Sequence, residues 1–157
     1  MNAYPRRTRR LKVIFTSRSR PLFFVTICTA GRRSILATAA THDCFLEFVG
    51  QSPERSSVYI GRYVLMPDHL HVFVSANGSK SLSRWVGSLK NCLASRWRKM
   101  GNVGPYWQSG FFDHVLRARE SYNEKWTYVE LNPVRAGLVA DSSEWPFAGE
   151  VYPLSWE

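Results

Sequence analysis

Residues 65–74 read LMPDHLHVFV, placing two histidines, His69 and His71, one leucine apart inside an apolar, strand-like run. Side chains at i and i+2 of a strand share a face, so the two imidazoles stand side by side while Leu70 points the other way. Neutral imidazole binds divalent transition metals, and two on one face supply half a coordination shell with positions left open. Two part-buried histidines lining a sheet would show the same spacing. Further along, Tyr128 precedes Asn132 by four positions, which on one helix sets both side chains on the same face, a turn apart. A phenol, with an ordinary pKa near ~10, is a weak nucleophile at neutral pH and needs deprotonation and a metal that polarises its target. Together the four residues suit cleavage of a phosphodiester by a tyrosine. From spacing alone, Tyr128 also fits the edge of a core, and Asn132 also fits a helix cap before Pro133.

These side chains need a frame. Residues 21–29, PLFFVTICT, are β-branched and aromatic and predict a buried first strand, followed by helical character over 41–51. Strands over 57–66 and 69–75 are joined through Pro67 and Asp68, turn residues that predict a hairpin. In that place Asp68 either serves the turn alone or also orients His69. From Leu82 to Met100 the apolar positions Leu82, Val86, Leu89, Leu93 and Trp97 recur at helical spacing. The opposite side carries Arg84, Ser88, Asn91, Ser95 and Arg98, without an acid. A fourth strand is predicted over 111–117 and a last helix over 120–132, the chain bending just past Asn132 where Pro133 interrupts the pattern. The order β, α, β, β, α, β plus a terminal helix predicts an α+β fold, a ferredoxin-like sandwich with helices packed on one face of an antiparallel sheet. The aromatic, acidic stretch 141–157 reads as a C-terminal strap. The division expected is a basic arm at 1–20, a catalytic-type domain at 21–140 and a docked tail at 141–157.

The chain has 157 residues, is 45% hydrophobic, and suits a single domain. Its longest apolar run, near residues 21–30, falls short of the roughly 20 needed to cross a bilayer. Three cysteines without a CxxC pattern fit a reducing compartment, so the cytoplasm is expected. The net charge of +9 is unevenly spread: residues 1–42 hold nine basic groups and no acid, and residues 69–112 hold six and none. Two basic blocks set between neutral or acidic ones point to a polyanionic partner. An arginine-rich, acid-free start also fits a solvated tail or an organelle transit peptide.

LMPDHLHVFV, then WQSGFFDHVLR at 107–117, then SYNEKWTYVELNPVRAGLV at 121–139, resemble in order and spacing the REP-associated tyrosine transposases of the single-tyrosine HUH superfamily, where H is histidine and U a hydrophobic residue. The resemblance spans roughly residues 21–147. It implies that His69 and His71 bind Mg²⁺ or Mn²⁺ with Asn132 as a third polar ligand, and that Tyr128 is the nucleophile. It further implies attack on single-stranded DNA beside a hairpin folded from an imperfect palindrome, leaving a 5′-phosphotyrosine and a free 3′-OH that can later rejoin DNA. A monomer with its tyrosine in cis is implied by the REP-associated branch, whereas other relatives are dimers that exchange the tyrosine helix. Phosphate contacts are expected from the arm residues Arg6, Arg7, Arg9, Arg10 and Lys12 and from Arg84, Asn91 and Arg98. Tyr106 and Trp107 fit either stacking on unpaired bases or core packing. His114 matches the pattern as a hydrogen-bonding core residue or a support to the metal ligands. Tyr122, six residues before Tyr128, competes for the nucleophile's role from another helix face. Two other classes stay open: a hairpin-DNA-binding protein that no longer cuts, serving regulation or repeat maintenance, and an RNA-binding ferredoxin-like domain, whose glycine-aromatic strand signature is missing here.

Overall fold

The computed structural model describes residues 14–16 and 20–156. Its centre is a five-stranded antiparallel sheet in the order β5-β2-β4-β3-β6, formed by β2 (Leu22–Cys28), β3 (Tyr59–Leu65), β4 (His69–Ser75), β5 (Phe112–Leu116) and β6 (Ala148–Glu150). The first four of these in spatial order make the ferredoxin-like arrangement, as expected from the element order. β6, from the C-terminal stretch, adds a fifth strand beside β3, and Trp145 Nε1 donates to the Leu65 carbonyl at 2.9 Å. A separate parallel pair joins β1 (Ile14–Thr16) to β7 (Leu154–Trp156).

The two sheet faces have different covers. Leu70, Val72 and Val74 of β4 point toward α1 (Ala39–Ser56) and α2 (Ser79–Lys99), which bury Phe45, Trp85, Leu89 and Trp97 against them. Two buried indoles tie these helices together: Trp85 Nε1 donates to Ser52 Oγ and Trp97 Nε1 to Thr41 Oγ1, each at 2.9 Å. Burying each indole contributes roughly 4–6 kcal/mol by area. α1 begins earlier than its apolar pattern indicates because the Thr38 side chain accepts from the Thr41 amide as an N-cap. Tyr106 and Trp107 pack on Trp97, with ring centroids at 5.7 and 5.1 Å, so both belong to the core rather than to a stacking surface.

Alternate residues of β4 face the other way. There Phe73, with Leu22, Phe24 and Leu116, packs under Tyr122 and Val129 of α3 (Arg119–Glu130). α3 therefore lies on the face that carries His69 and His71, opposite α1 and α2. It ends at Glu130, and a short α4 (Asn132–Arg135) starts after Leu131, so the bend comes one residue before Asn132 and not just past it. Pro133 explains the shift: it has no N–H for the Val129 carbonyl, its ring crowds that carbonyl, and it is favoured in the first turn of the new helix.

Gly61 sits where β3 slips register between Ile60 and Tyr63. A Cβ there would lie 2.7 Å from Leu154 Cδ1 and 2.8 Å from the Tyr122 hydroxyl. Gly61→Ala is expected to destabilise the fold by about 1–3 kcal/mol through overpacking, read as a lower thermal midpoint in calorimetry. An unchanged midpoint would show that β7 and α3 dock more loosely than this packing requires.

Candidate active site

The turn between β3 and β4 is closed by the Met66 amide donating to the His69 carbonyl at 2.8 Å, with Pro67 and Asp68 as its two loop residues. This tight turn launches β4 with His69 and His71 on the α3 face, their ring centroids 4.9 Å apart and nearly perpendicular. Each ring is held through Nδ1. His69 Nδ1 meets Asp68 Oδ1 at 2.8 Å, and His71 Nδ1 meets Thr26 Oγ1 of the neighbouring strand β2 at 2.8 Å. Neither contact uses Nε2. In the tautomer where both Nδ1 atoms carry the proton and donate it, each Nε2 presents a lone pair, the arrangement that supports imidazole as a metal ligand.

Burial is the largest cause pushing His71 down to about 3, followed by the charges of His69, Lys125, Arg135 and Arg32. The ring is therefore neutral near pH 7. Phe24 stacks on it with centroids 5.2 Å apart and planes 21° from parallel. Asp68 does more than turn the chain, because Arg32 Nε also donates to its Oδ2 at 2.9 Å. Burial raises the Asp68 carboxyl, but the hydrogen bonds and charges of His69 and Arg32 outweigh it and hold the group below its ordinary value.

His69, His71, Tyr128 and Asn132 line one cavity of about 440 Å³, with Lys125 and Arg135 beside them and, among the described residues, no carboxylate in its wall. Despite the helix break, Tyr128 and Asn132 line the same cavity, and Arg135 touches both. The Arg135 guanidinium lies 4.0 Å from the Tyr128 ring centre, donates to the Tyr128 carbonyl at 2.6 Å, and also donates to Asn132 Oδ1. Two imidazole nitrogens and an amide oxygen, with room for water and for a phosphate oxygen, are a donor set of the kind that takes a divalent metal ion and leaves positions open. An ion at Asn132 would share or replace the Arg135 contact. With two cations in the wall, the cavity favours an anion.

The competing tyrosine is elsewhere. Tyr122 is 3% exposed against 63% for Tyr128, its ring packs on Phe73, and its oxygen accepts from the Arg62 amide at 3.4 Å. Burial first, moderated by Arg62, raises the Tyr122 hydroxyl to about 12. Arg84, Asn91 and Arg98 are exposed on α2, on the opposite side of the sheet, and do not join the cavity. The arm residues Arg6, Arg7, Arg9, Arg10 and Lys12 lie outside the described residues. His114 is neither in the core nor behind the ligands: it stands exposed on β5, an edge strand among the described residues. Sequence reasoning missed Lys125, Arg135 and Arg32. The first two sit at −3 and +7 from Tyr128, a helical stripe that could have flagged them. Arg32 carries no comparable signal, since 36 residues separate it from Asp68.

A family model described as "Transposase IS200 like" matches residues 22–130. The chain is 27% identical over 150 residues to a REP-associated tyrosine transposase of Escherichia coli (strain K12), covering 85% of this chain and 83% of that protein. A solved structure of a REP-associated tyrosine transposase bound to a REP hairpin superposes with a TM-score of 0.68 at 25% identity, covering 82% of this chain and 75% of the other. The matched segment runs from the first sheet strand through both histidines to the end of the helix that bears Tyr128, and the chain belongs to the IS200-like transposase family.

Proposed function

We propose that the protein is a metal-dependent single-strand DNA endonuclease and strand transferase that acts on hairpins formed by palindromic repeats. The observation that carries this reading is the convergence of His69, His71, Asn132 and the exposed Tyr128 on one cavity that Lys125 and Arg135 also line. The hairpin bound to the similar solved protein supports the choice of substrate.

In this reading His69, His71 and Asn132 hold Mg²⁺ or Mn²⁺, which supplies Lewis-acid polarisation of the phosphate when bound. Asp68 and Thr26 fix the ring orientations, and Arg32 fixes Asp68. Lys125 and Arg135 attract the phosphate and balance its charge. The Tyr128 oxygen attacks phosphorus, forming a new P–O bond as the bond to the 3′ oxygen breaks. The phenolic proton passes to solvent, and the departing oxygen ends as a 3′-OH. The 5′-phosphotyrosine keeps the energy of the broken bond, so a later 3′-OH can attack it, release Tyr128 and rejoin DNA. Because Tyr128 and the histidines line one cavity within a single copy of the chain, a monomer contains every group this scheme uses.

The test is incubation of the full chain with a labelled single-stranded hairpin taken from palindromes flanking its gene, in Mn²⁺, followed by denaturing electrophoresis. A protein-linked product that EDTA prevents is expected. Hairpin binding without any such product would leave a DNA-binding protein and overturn the enzymatic reading.

A further inference from the structure

A second groove, of about 380 Å³, runs between the edge strand β5 and α3, lined by His114, Leu116, Ser121, Glu124, Lys125 and Tyr128. Lys125 and Tyr128 also line the histidine cavity, so the two hollows meet at the nucleophile and share it as a wall. The strand register fixes their separation. Thr26 pairs with His71 on one side and Phe112 on the other, and Phe24 pairs likewise with Phe73 and His114. Phe112 and His114 thus stand two strands from His71 and Phe73, about 10 Å away at the usual strand spacing. Since partners across a ladder face the same way, all four lie on the α3 side of the sheet.

The lining has the chemistry of a base pocket rather than a phosphate site. Its floor, Leu116, is apolar and buried. Its walls offer an imidazole, a hydroxyl and a carboxylate: His114 and Ser121 can donate or accept, and Glu124 only accepts. Glu124 would repel a phosphate but would accept a hydrogen bond from an exocyclic amino group, as acidic side chains do from cytosine N4. Lys125, on the shared wall, is the cation common to both hollows. Beside the groove on the same sheet face, Phe112 is 69% exposed, an unusual place for a large apolar ring and a ready stacking surface for an unpaired base.

Resting on the DNA-cleavage reading above, we propose that this groove is a nucleobase subsite. It takes an unpaired, amino-bearing base (cytosine, adenine or guanine, not thymine) from the nucleotide next to the scissile phosphate, read by His114 and Glu124. The subsite gives His114 a task that the metal site does not.

The test is a substitution cycle. Hairpins from the flanking palindromes carry an abasic nucleotide at one position at a time through their single-stranded extension. Adduct formation is timed for the wild type, His114→Ala and Glu124→Ala, both at exposed positions where the fold is easily retained. At one position beside the cleavage site, the abasic substrate is expected to slow the wild type roughly ten- to hundred-fold, the scale of a base-specific contact. Each variant should be slowed similarly on intact DNA and no further on that abasic DNA. Thymine placed there should behave as the abasic nucleotide does. Variant penalties that multiply with the abasic penalty at every position would overturn the subsite. The same cycle measured as equilibrium binding by fluorescence anisotropy in EDTA judges it apart from cleavage. A wild type without adduct but with the binding cycle intact would overturn the enzymatic reading and leave the subsite standing. Additive binding penalties throughout would overturn the subsite alone.

Discussion

Tyr128→Phe is expected to leave hairpin binding within about twofold of wild type and to reduce the covalent product by roughly 10⁴-fold or more, the scale seen when a nucleophile is removed. The substitution deletes one oxygen and keeps the ring, on whose face the Arg135 guanidinium rests at 4.0 Å. Because Tyr128 is 63% exposed, no buried hydroxyl partner is orphaned and the fold should be unaffected. Tyr122 cannot take over. Its ring is fixed between Phe73 and the β3 backbone, and its oxygen lies under Leu154 and beside Arg62 instead of in the cavity. The measurement is quantification of DNA-linked protein after denaturation, alongside binding by anisotropy. A Tyr128→Phe protein that still forms the adduct at a comparable rate would transfer the role to another residue and sink the assignment.

His71→Ala should weaken Mn²⁺ binding by roughly 100-fold or more, since loss of a mere supporting group already costs 10- to 100-fold at such sites. Paramagnetic resonance of free Mn²⁺ reads this without DNA or catalysis. The ring is held neutral by burial, between Phe24 and Thr26, so it needs no proton release before it can donate its lone pair. Asp68→Asn offers a graded comparison: it keeps the turn and a hydrogen-bonding oxygen but removes the charge facing His69 and Arg32. A smaller loss of affinity, about 10-fold, is expected there. Equal Mn²⁺ affinity in wild type and His71→Ala would remove the histidine pair from the metal site, while circular dichroism checks that truncation beside Phe24 has not unfolded the sheet.

The α+β frame was readable because local patterns have different periods. The β-branched and aromatic run of β2, the alternation at the start of β4, the three- and four-residue spacing of α2, and the Pro67–Asp68 turn each leave a local trace. The Tyr128 and Asn132 pairing was readable too, although the break at Leu131 was displaced by a residue, since Pro133 acts on backbone on both sides of itself. Tyr122 and Tyr128 were harder to tell apart. Both belong to an amphipathic helix, and only docking decides which hydroxyl is enclosed.

By itself the sequence determined that His69 and His71 share a strand face, that Tyr128 and Asn132 lie a turn apart, and that basic charge is gathered in blocks. It did so because backbone periodicity is a local property. Tertiary structure alone decided that α3 covers the histidine face while α1 and α2 cover the other, for both faces of this sheet are apolar and either could have received an amphipathic helix. It also decided that Arg32 reaches Asp68, that Arg84 and its neighbours on α2 stand away from the cavity, and that His114 is left open at an edge. Those outcomes depend on contacts between residues far apart in the chain, settled only when apolar surfaces choose their partners and bury them.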